Sequence, residues 1–427
     1  MSAVSTPLPV TERLRLARGR IAPLLEGIAA GVVQREQDHV LPYEPVRALV
    51  EAGFGRLRVP VEHGGDGLDL PALAEILVDV AAADSNLPQI FRGHIAWVEQ
   101  LLTLGETDRA YRDAWYARIV AGEFVGNAWS ETGSGVTGKQ QTVVTEGPGG
   151  LRVDGRKFYT TGSIFADWTD ATARRVGPGQ SPDDDDLEVV TAIVRTRQPG
   201  VQISDDWDGF GQQLTGTGTI VFTGAEVDAA DVRPFAERFR FQTALYQLVL
   251  LAVHAGIAEA VERDAGHEVR TRTRSYTHGL APLVRHDAQV LAVVGEISAV
   301  AWTARQLVRG AAEALQAAAD TAHDRDSAAD QAANAVAEIR TAQAQTVLSE
   351  SVPRAATLLF NTLGASGVGR GKDLDRHWRN ARTVASHNPV IYKTRIVGDF
   401  SVNGTTPPYV WDIGTHASVA AAAGSEG

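Results

Sequence analysis

The stretch RNARTVASHNPVIYK, residues 379–393, carries the question on which the rest of the chain turns. An arginine-rich helical segment runs into His387-Asn388-Pro389, and the chain has only 11 histidines. A residue that precedes proline avoids the α region, so Asn388-Pro389 ends the helix and fixes how His387 projects. Upstream, from Arg233-Pro234 to about residue 385, the sequence is a succession of long amphipathic segments beginning near residues 244, 287 and 327. Helices of that length imply a bundle. From Val402 onward the composition turns to Gly, Thr and Ala, with a flexible end expected at HASVAAAAGSEG.

Ahead of the bundle the pattern differs. Residues 140–226 hold short alternating or β-branched runs, QTVVTE, LRVDGRKFYTT, LEVVTAIVRT, VQISDDW and TGTIVFTGAEV, parted by Gly, Pro and Asp turns. GPGQSPDDDD (177–186) reads as a surface loop, since four successive aspartates repel and resist burial. Residues 8–122 return to three- and four-residue apolar spacing, punctuated by Pro42, Pro60, Gly64, Gly65, Gly67 and Pro71. The expected organisation is an α+β chain: residues 1–124 an α-helical domain, 125–232 a β-domain, 233–427 an α-helical bundle with a flexible tail.

Composition bounds the function. Hydrophobic residues are 44% and charged residues 22%, the balance of a globular chain. No apolar run reaches the roughly 18 residues of a spanning segment, and the N-terminus lacks an export signal, so no membrane partner and a cytoplasmic location are expected. A net charge of −12 with dispersed basic residues argues against nucleic acid. Zero cysteines remove disulfides, thiol nucleophiles and thiolate metal sites. His254, His267, His278, His286, His323, His377 and His416 show no metal-ligand spacing, so no metal is expected. GQQLTGTGT (211–219) precedes a strand and is not a dinucleotide fingerprint. Ser134 and Ser163 lie near glycines without forming the elbow of a serine hydrolase.

Four motifs, in order, carry a family resemblance: NAWSETGSG (127–135), GRKFYTTGS (155–163), NTLGASGVG (361–369) and RNAR (379–382). They resemble the acyl-CoA dehydrogenase-fold superfamily, whose members place an N-terminal α-helical domain, a middle β-domain and a C-terminal four-helix bundle in this order. The resemblance implies a flavin. By position in the first two motifs, Asn127, Ser130 and Thr161 would line its ring, and Thr215 or Thr217 in the Thr-Gly run could touch it. Trp207 in SDDWDGFG matches a tryptophan beside the flavin pocket in the monooxygenases of this fold, and Arg272 and Arg274 would hold the flavin's phosphate, which suits a guanidinium fork. A solvated basic helix face is the other reading of those arginines. Gly364 and Gly367 would let a neighbouring subunit approach the phosphate, with a helix cap the other reading. An interface site of this kind implies an oligomer, a homotetramer.

In the dehydrogenases the segment after Arg-Asp-Ala-Arg commonly supplies a glutamate base; here His387-Asn388-Pro389 stands in its place. The His-x-Pro-Val-x-Tyr-Lys form resembles instead the flavin-dependent monooxygenases of this fold, the dibenzothiophene monooxygenase and sulfur-acquisition alkyl sulfone types. His94 in FRGHIAW matches that group's first active-site histidine, whereas Val384 stands where the group has a second one. The resemblance implies a two-component enzyme, fed reduced flavin by a separate reductase, that uses O2 through a flavin hydroperoxide to oxygenate a small sulfur- or nitrogen-containing or aromatic substrate. FMN is the expected cofactor, with FAD the alternative. His387 would handle the proton and His94 would orient substrate or peroxide; a satisfied structural histidine is the competing reading for each. A dehydrogenase-like desaturase and a non-catalytic scaffold are the alternative functions.

Overall fold

The computed structural model describes residues 8–131, 139–147 and 149–410. Ser134 and His416, the end of the NAWSETGSG motif and most of the C-terminal tail lie outside the described residues.

Helices α1 (Val10–Asp38), α2 (Tyr43–Glu51), α3 (Leu70–Ala83), α4 (Leu87–Ile90), α5 (Arg92–Thr103) and α6 (Arg109–Val120) come first. Strands β1 (Val125–Ala128), β2 (Val143–Gly147), β3 (Gly150–Lys157), β4 (Trp168–Arg175), β5 (Glu188–Arg195), β6 (Val201–Ser204), β7 (Thr219–Val227) and β8 (Val232–Pro234) follow. Helices α7 (Gln242–Thr271), α8 (Ala288–Thr321), α9 (Ala328–Asn361), α10 (Asp375–Ala385) and α11 (Val390–Asn403) complete the described chain. By packing they fall into two units. Of the described residues, one gathers those up to Gln89, Gly209–Leu214 and Thr243–Pro407; the other gathers those within Ile90–Asp208, Thr215–Gln242 and residues 408–410.

In the first unit the long helices begin where side-chain caps satisfy their free amides. Asp69 accepts from Ala72 N at 2.8 Å, Asp287 from Gln289 N at 2.9 Å, and Ser327 Oγ from Asp330 N at 3.1 Å. Arg305 on α8 reaches Glu259 on α7 and Glu75 and Asp79 on α3, and Arg18 on α1 shares the last two. One guanidinium thereby ties three helices together. Two helices, α7 and α8, are long and apolar enough to cross a membrane, which a search for unbroken apolar runs passes over. They differ in burial: 89% of the most apolar window of α7 is buried in the chain, against 17% for α8.

The second unit is built on a sheet of order β6-β7-β3-β2-β4-β5-β8, with β1 pairing parallel to β4. Alternating apolar residues of β2, β3, β5 and β7 meet in its core with Val144, Val153, Val190, Ala192, Ile220 and Phe222. The runs expected from alternation are strands. Strand β4, WTDATARR, is buried almost throughout although its pattern is polar. Its polar groups are paired: Asp170 with Arg238 at 2.8 Å, Thr169 with Ser163 at 2.9 Å, and Arg174 with the carbonyls of Pro182 and Asp184. The aspartate-rich loop is mostly exposed, as charge repulsion requires.

Candidate active site

Glycines set the framework in the sheet unit. A Cβ added to Gly126 on β1 would lie 2.5 Å from Ser163 Cα, and one on Gly93 at the start of α5 would lie 2.9 Å from the Gly126 carbonyl carbon. Strand β1 is therefore pressed between α5 and the turn after β3, and Ser163 Oγ donates to Asn127 O at 3.1 Å. Asn127, opposite Asp170 in the β1–β4 register, is 5% exposed. Its Oδ1 has no hydrogen-bond partner among the described residues. Gln89 Oε1, Asn334 Oδ1 and Gln345 Oε1 share that condition, so what sets Asn127 apart is its place in the first motif, where a donor on a bound group would satisfy it.

Beside this motif, Thr161 Oγ1 and Thr217 Oγ1 are 2.7 Å apart, and Thr217 and Thr215 are 2.8 Å apart, forming a buried row of hydroxyls. Ser130 accepts at its carbonyl from Phe158 N at 2.9 Å, which joins the first two motifs directly. Tyr159, which pattern reading missed, adopts φ +59° and is exposed, with Trp207 edge-on at 6.0 Å. A bulky residue in the left-handed region marks strain of the kind that collects at functional sites. Its signal was available, because Tyr159 stands at the tryptophan of the family's Gly-x-Lys-x-Trp-Ile-Thr stretch.

His94 lies on α5, 1% exposed, with Phe124 edge-on at 6.2 Å. Val125 N donates to His94 Nδ1 at 3.3 Å. An accepting Nδ1 places the ring proton on Nε2, so His94 is a neutral imidazole held by β1.

In the helical unit, Arg272 is half-buried and donates through Nε to Arg274 O at 3.2 Å, with its guanidinium 5.5 Å from the Tyr276 ring. A Cβ on Gly364 would meet Tyr276 Oη at 2.1 Å and Arg272 Nη2 at 3.2 Å. Arg272, Tyr276 and Gly364 are thus one cluster, and a side chain at Gly364 would displace the Tyr276 hydroxyl. Gly367 N donates to Gly364 O at 2.8 Å, and Arg274 is exposed.

RNAR opens the second half of α10, and its asparagine is the hub of a buried polar network. Asn380 Nδ2 donates to Glu36 Oε1 at 3.0 Å and to Ser85 Oγ at 3.1 Å, while its Oδ1 accepts from Gln212 N at 2.6 Å. Glu36 Oε1 also accepts from Asn86 at 3.0 Å. The departure from the family's Arg-Asp-Ala-Arg has a physical cause, since an aspartate could not donate to Glu36. His254 Nε2 lies 3.1 Å from Ala381 O in the same motif, and burial lowers its pKa to about 4. His377 is likewise lowered to about 4, by burial and Arg376, with Nε2 2.8 Å from Asp264.

His387 lies just past α10, exposed, its amide donating to Val384 O at 3.2 Å, and Pro389 precedes α11. Val384 is buried. Lys393, the last residue of the opening stretch, is buried on α11 in the field of Glu338 on α9. Burial pushes the Glu338 carboxyl up to about 7 and the Lys393 ammonium down.

The residues present fit a flavin. In the sheet unit the orphaned Asn127 oxygen and the threonine row suit the polar edge of an isoalloxazine ring; in the helical unit, taken by itself, Arg272 beside Gly364 suits a phosphate.

Two family models match: "Acyl-CoA dehydrogenase, N-terminal domain" over residues 15–123 and "Acyl-CoA dehydrogenase, C-terminal domain" over 248–391. Dibenzothiophene monooxygenase of Rhodococcus qingshengii is 26% identical over 370 residues, 84% of this chain and 86% of the relative. The Pseudomonas putida protein named "Probable FMNH2-dependent monooxygenase SfnC" is 24% identical over 95% of this chain and 98% of its own length. The crystal structure of FMN-bound TdsC from Paenibacillus sp. A11-2 superposes with a TM-score of 0.82 at 26% identity, covering 93% of this chain and 99% of that one.

Proposed function

The chain belongs to the acyl-CoA dehydrogenase-fold superfamily, within its flavin-dependent monooxygenase branch, and on that footing we propose that it is the oxygenase half of a two-component system. Reduced FMN comes from a separate reductase, and the substrate is a small sulfur- or nitrogen-containing or aromatic molecule. The observation that carries the reading is the likeness to FMN-bound TdsC along nearly the whole chain.

Asn127, Ser130, Thr161, Trp207 and Thr217 would hold the ring, and Arg272, Arg274, Gly364 and Gly367 the phosphate. When bound, reduced FMN supplies the two electrons that activate O2. The protein supplies position, dryness and protons. The buried Thr161–Thr217–Thr215 row offers hydroxyls that donate or accept without admitting bulk water. His94, its ring fixed through Nδ1 by the Val125 amide, is the group we assign to orienting substrate or peroxide. His387, exposed on the turn before Pro389, is the group we assign to proton transfer.

The exposed apolar side of α8 supports the homotetramer. Leu291 is 49% and Trp302 68% exposed on that helix, and a second copy of this chain is the occupant that would cover them.

The test is turnover under ¹⁸O2 with FMN, NADH and a flavin reductase, against a panel of thioethers, sulfones, sulfinates and amines. One ¹⁸O atom in the product of at least one class is the expected result. Quantitative conversion of O2 to peroxide with every class would overturn the proposal.

A further inference from the structure

Lys157 ends β3 inside the second motif and is completely buried. Its Nζ lies 2.6 Å from Glu131 Oε1, 2.9 Å from Gln140 Oε1, 3.2 Å from Thr172 Oγ1 and 3.5 Å from Trp129 O. Glu131 in turn accepts from Gln141 N at 2.7 Å and from the amide and hydroxyl of Thr142 at 3.0 and 2.7 Å. The Trp129 carbonyl takes a second bond from Thr172 Oγ1 at 2.9 Å, and the Trp129 ring lies 5.1 Å from the Arg238 guanidinium.

The segment Trp129–Glu131, with Ser130 at its centre, is thus gripped from beneath by one ammonium that belongs to the other ring-lining motif. A buried ion pair is seldom the most stable filling for its space; apolar residues of like volume often do as well or better. What this pair provides is a fixed geometry.

We propose that Lys157 is a positioning residue for the flavin: its buried ammonium, holding the Trp129 carbonyl and the Glu131 carboxylate, fixes Ser130 and thereby sets the affinity for FMN in both oxidation states. This rests on the flavin reading above. The charged groups around the ammonium are few and already engaged. Glu131 is its own partner; on β4, Arg174 donates to the Gln140 carbonyl and Asp170 pairs with Arg238; Lys139 pairs with Asp185; on β7 the neighbour in register is Ile220. Burial lowers the Lys157 pKa to about 8, so the grip loosens within an accessible pH range.

The experiment compares wild type, K157M and K157M/E131L by FMN titration, aerobic for the oxidised form and anaerobic for the reduced, alongside thermal melting. K157M is expected to weaken both forms about tenfold or more. The double variant, with no charge left unpaired, is expected to recover melting temperature without recovering affinity. Affinity restored together with melting temperature, or unchanged in K157M, would overturn the proposal.

Wild type gives a second readout that needs no variant. FMN affinity is expected to fall as pH rises past 8. The contribution of Lys157 to stability rises over the same range, because the unfolded lysine, at about 10.5, then binds more protons than the folded one. Flat affinity to pH 9 would overturn the proposal. A wild-type chain that binds FMN in neither form at any pH would refute the flavin reading itself.

Discussion

Asn127 and His94 show what single residues can and cannot say before folding. Asn127 and Thr161 were candidates because they stand in motifs and Thr217 because of the Thr-Gly run around it, and folding adds that the Asn127 oxygen is left without a hydrogen-bond partner among the described residues. N127A is expected to raise the FMN dissociation constant about tenfold, the loss of roughly 1.4 kcal/mol of hydrogen bonding, in a fluorescence titration. His94 was legible as a candidate, but its backbone bond to Val125 was not, since nothing local announces a contact 31 residues away. H94A leaves the buried Val125 amide unsatisfied and should cost about 1–3 kcal/mol in denaturant unfolding. H94N, whose side-chain oxygen can accept that bond, should keep stability and lose turnover. His387 is the opposite case, exposed on its turn, and H387A should lower product formation about a hundredfold or more while reduced-FMN binding and melting temperature stay near wild type. Lys157, Glu131 and Arg238 were unreadable as a group because their meeting is made by strand pairing.

At the scale of elements, periodicity found the helices of the bundle and the alternating strands, and it missed β4. That strand buries Asp170, Thr169, Thr172 and Arg174, and such residues are tolerated there because each finds a partner, from Ser163 just upstream to the Asp184 carbonyl, Lys157 and Arg238. Helix α11 was missed as well; α10 stops at Ala385, before His387-Asn388-Pro389, and Pro389, read there only as a helix end, is the N-cap of α11. Helix α10 is locked by Asn380, and two substitutions separate charge from shape. N380A is expected to destabilise by about 2–4 kcal/mol, by leaving Glu36 and the Gln212 amide short of partners. N380D, the residue of the family pattern, should do at least as much harm by setting a second carboxylate against Glu36, and E36Q should relieve part of it. Urea unfolding of the three chains checks the order.

For the whole molecule, acid sensitivity follows from His254 and His377. Both are held near 4 against an ordinary 6.5, so between those values the unfolded chain binds more protons and stability falls as pH falls. Asp264, lowered beside His377 and Arg376, prolongs the loss at still lower pH. H254Q should flatten the decline in melting temperature between pH 6.5 and 4. The apolar side of α8 belongs to the same scale: on the homotetramer proposed above, W302E with L291E should lower the sedimenting mass without unfolding the chain, because both side chains are exposed within it. The opening stretch is a series of anchors, with Asn380 in a polar network, Ala381 bound by His254 and Lys393 buried on α11, leaving His387 as its exposed histidine.

The central claim, that this chain takes up reduced FMN and controls its meeting with O2, is tested most directly by mixing the protein anaerobically with reduced FMN and following flavin reoxidation after an oxygen pulse. The account predicts release of oxidised FMN far more slowly than from free reduced flavin, and faster again in H387A. Reoxidation at the free-flavin rate, unchanged by the protein, would contradict it.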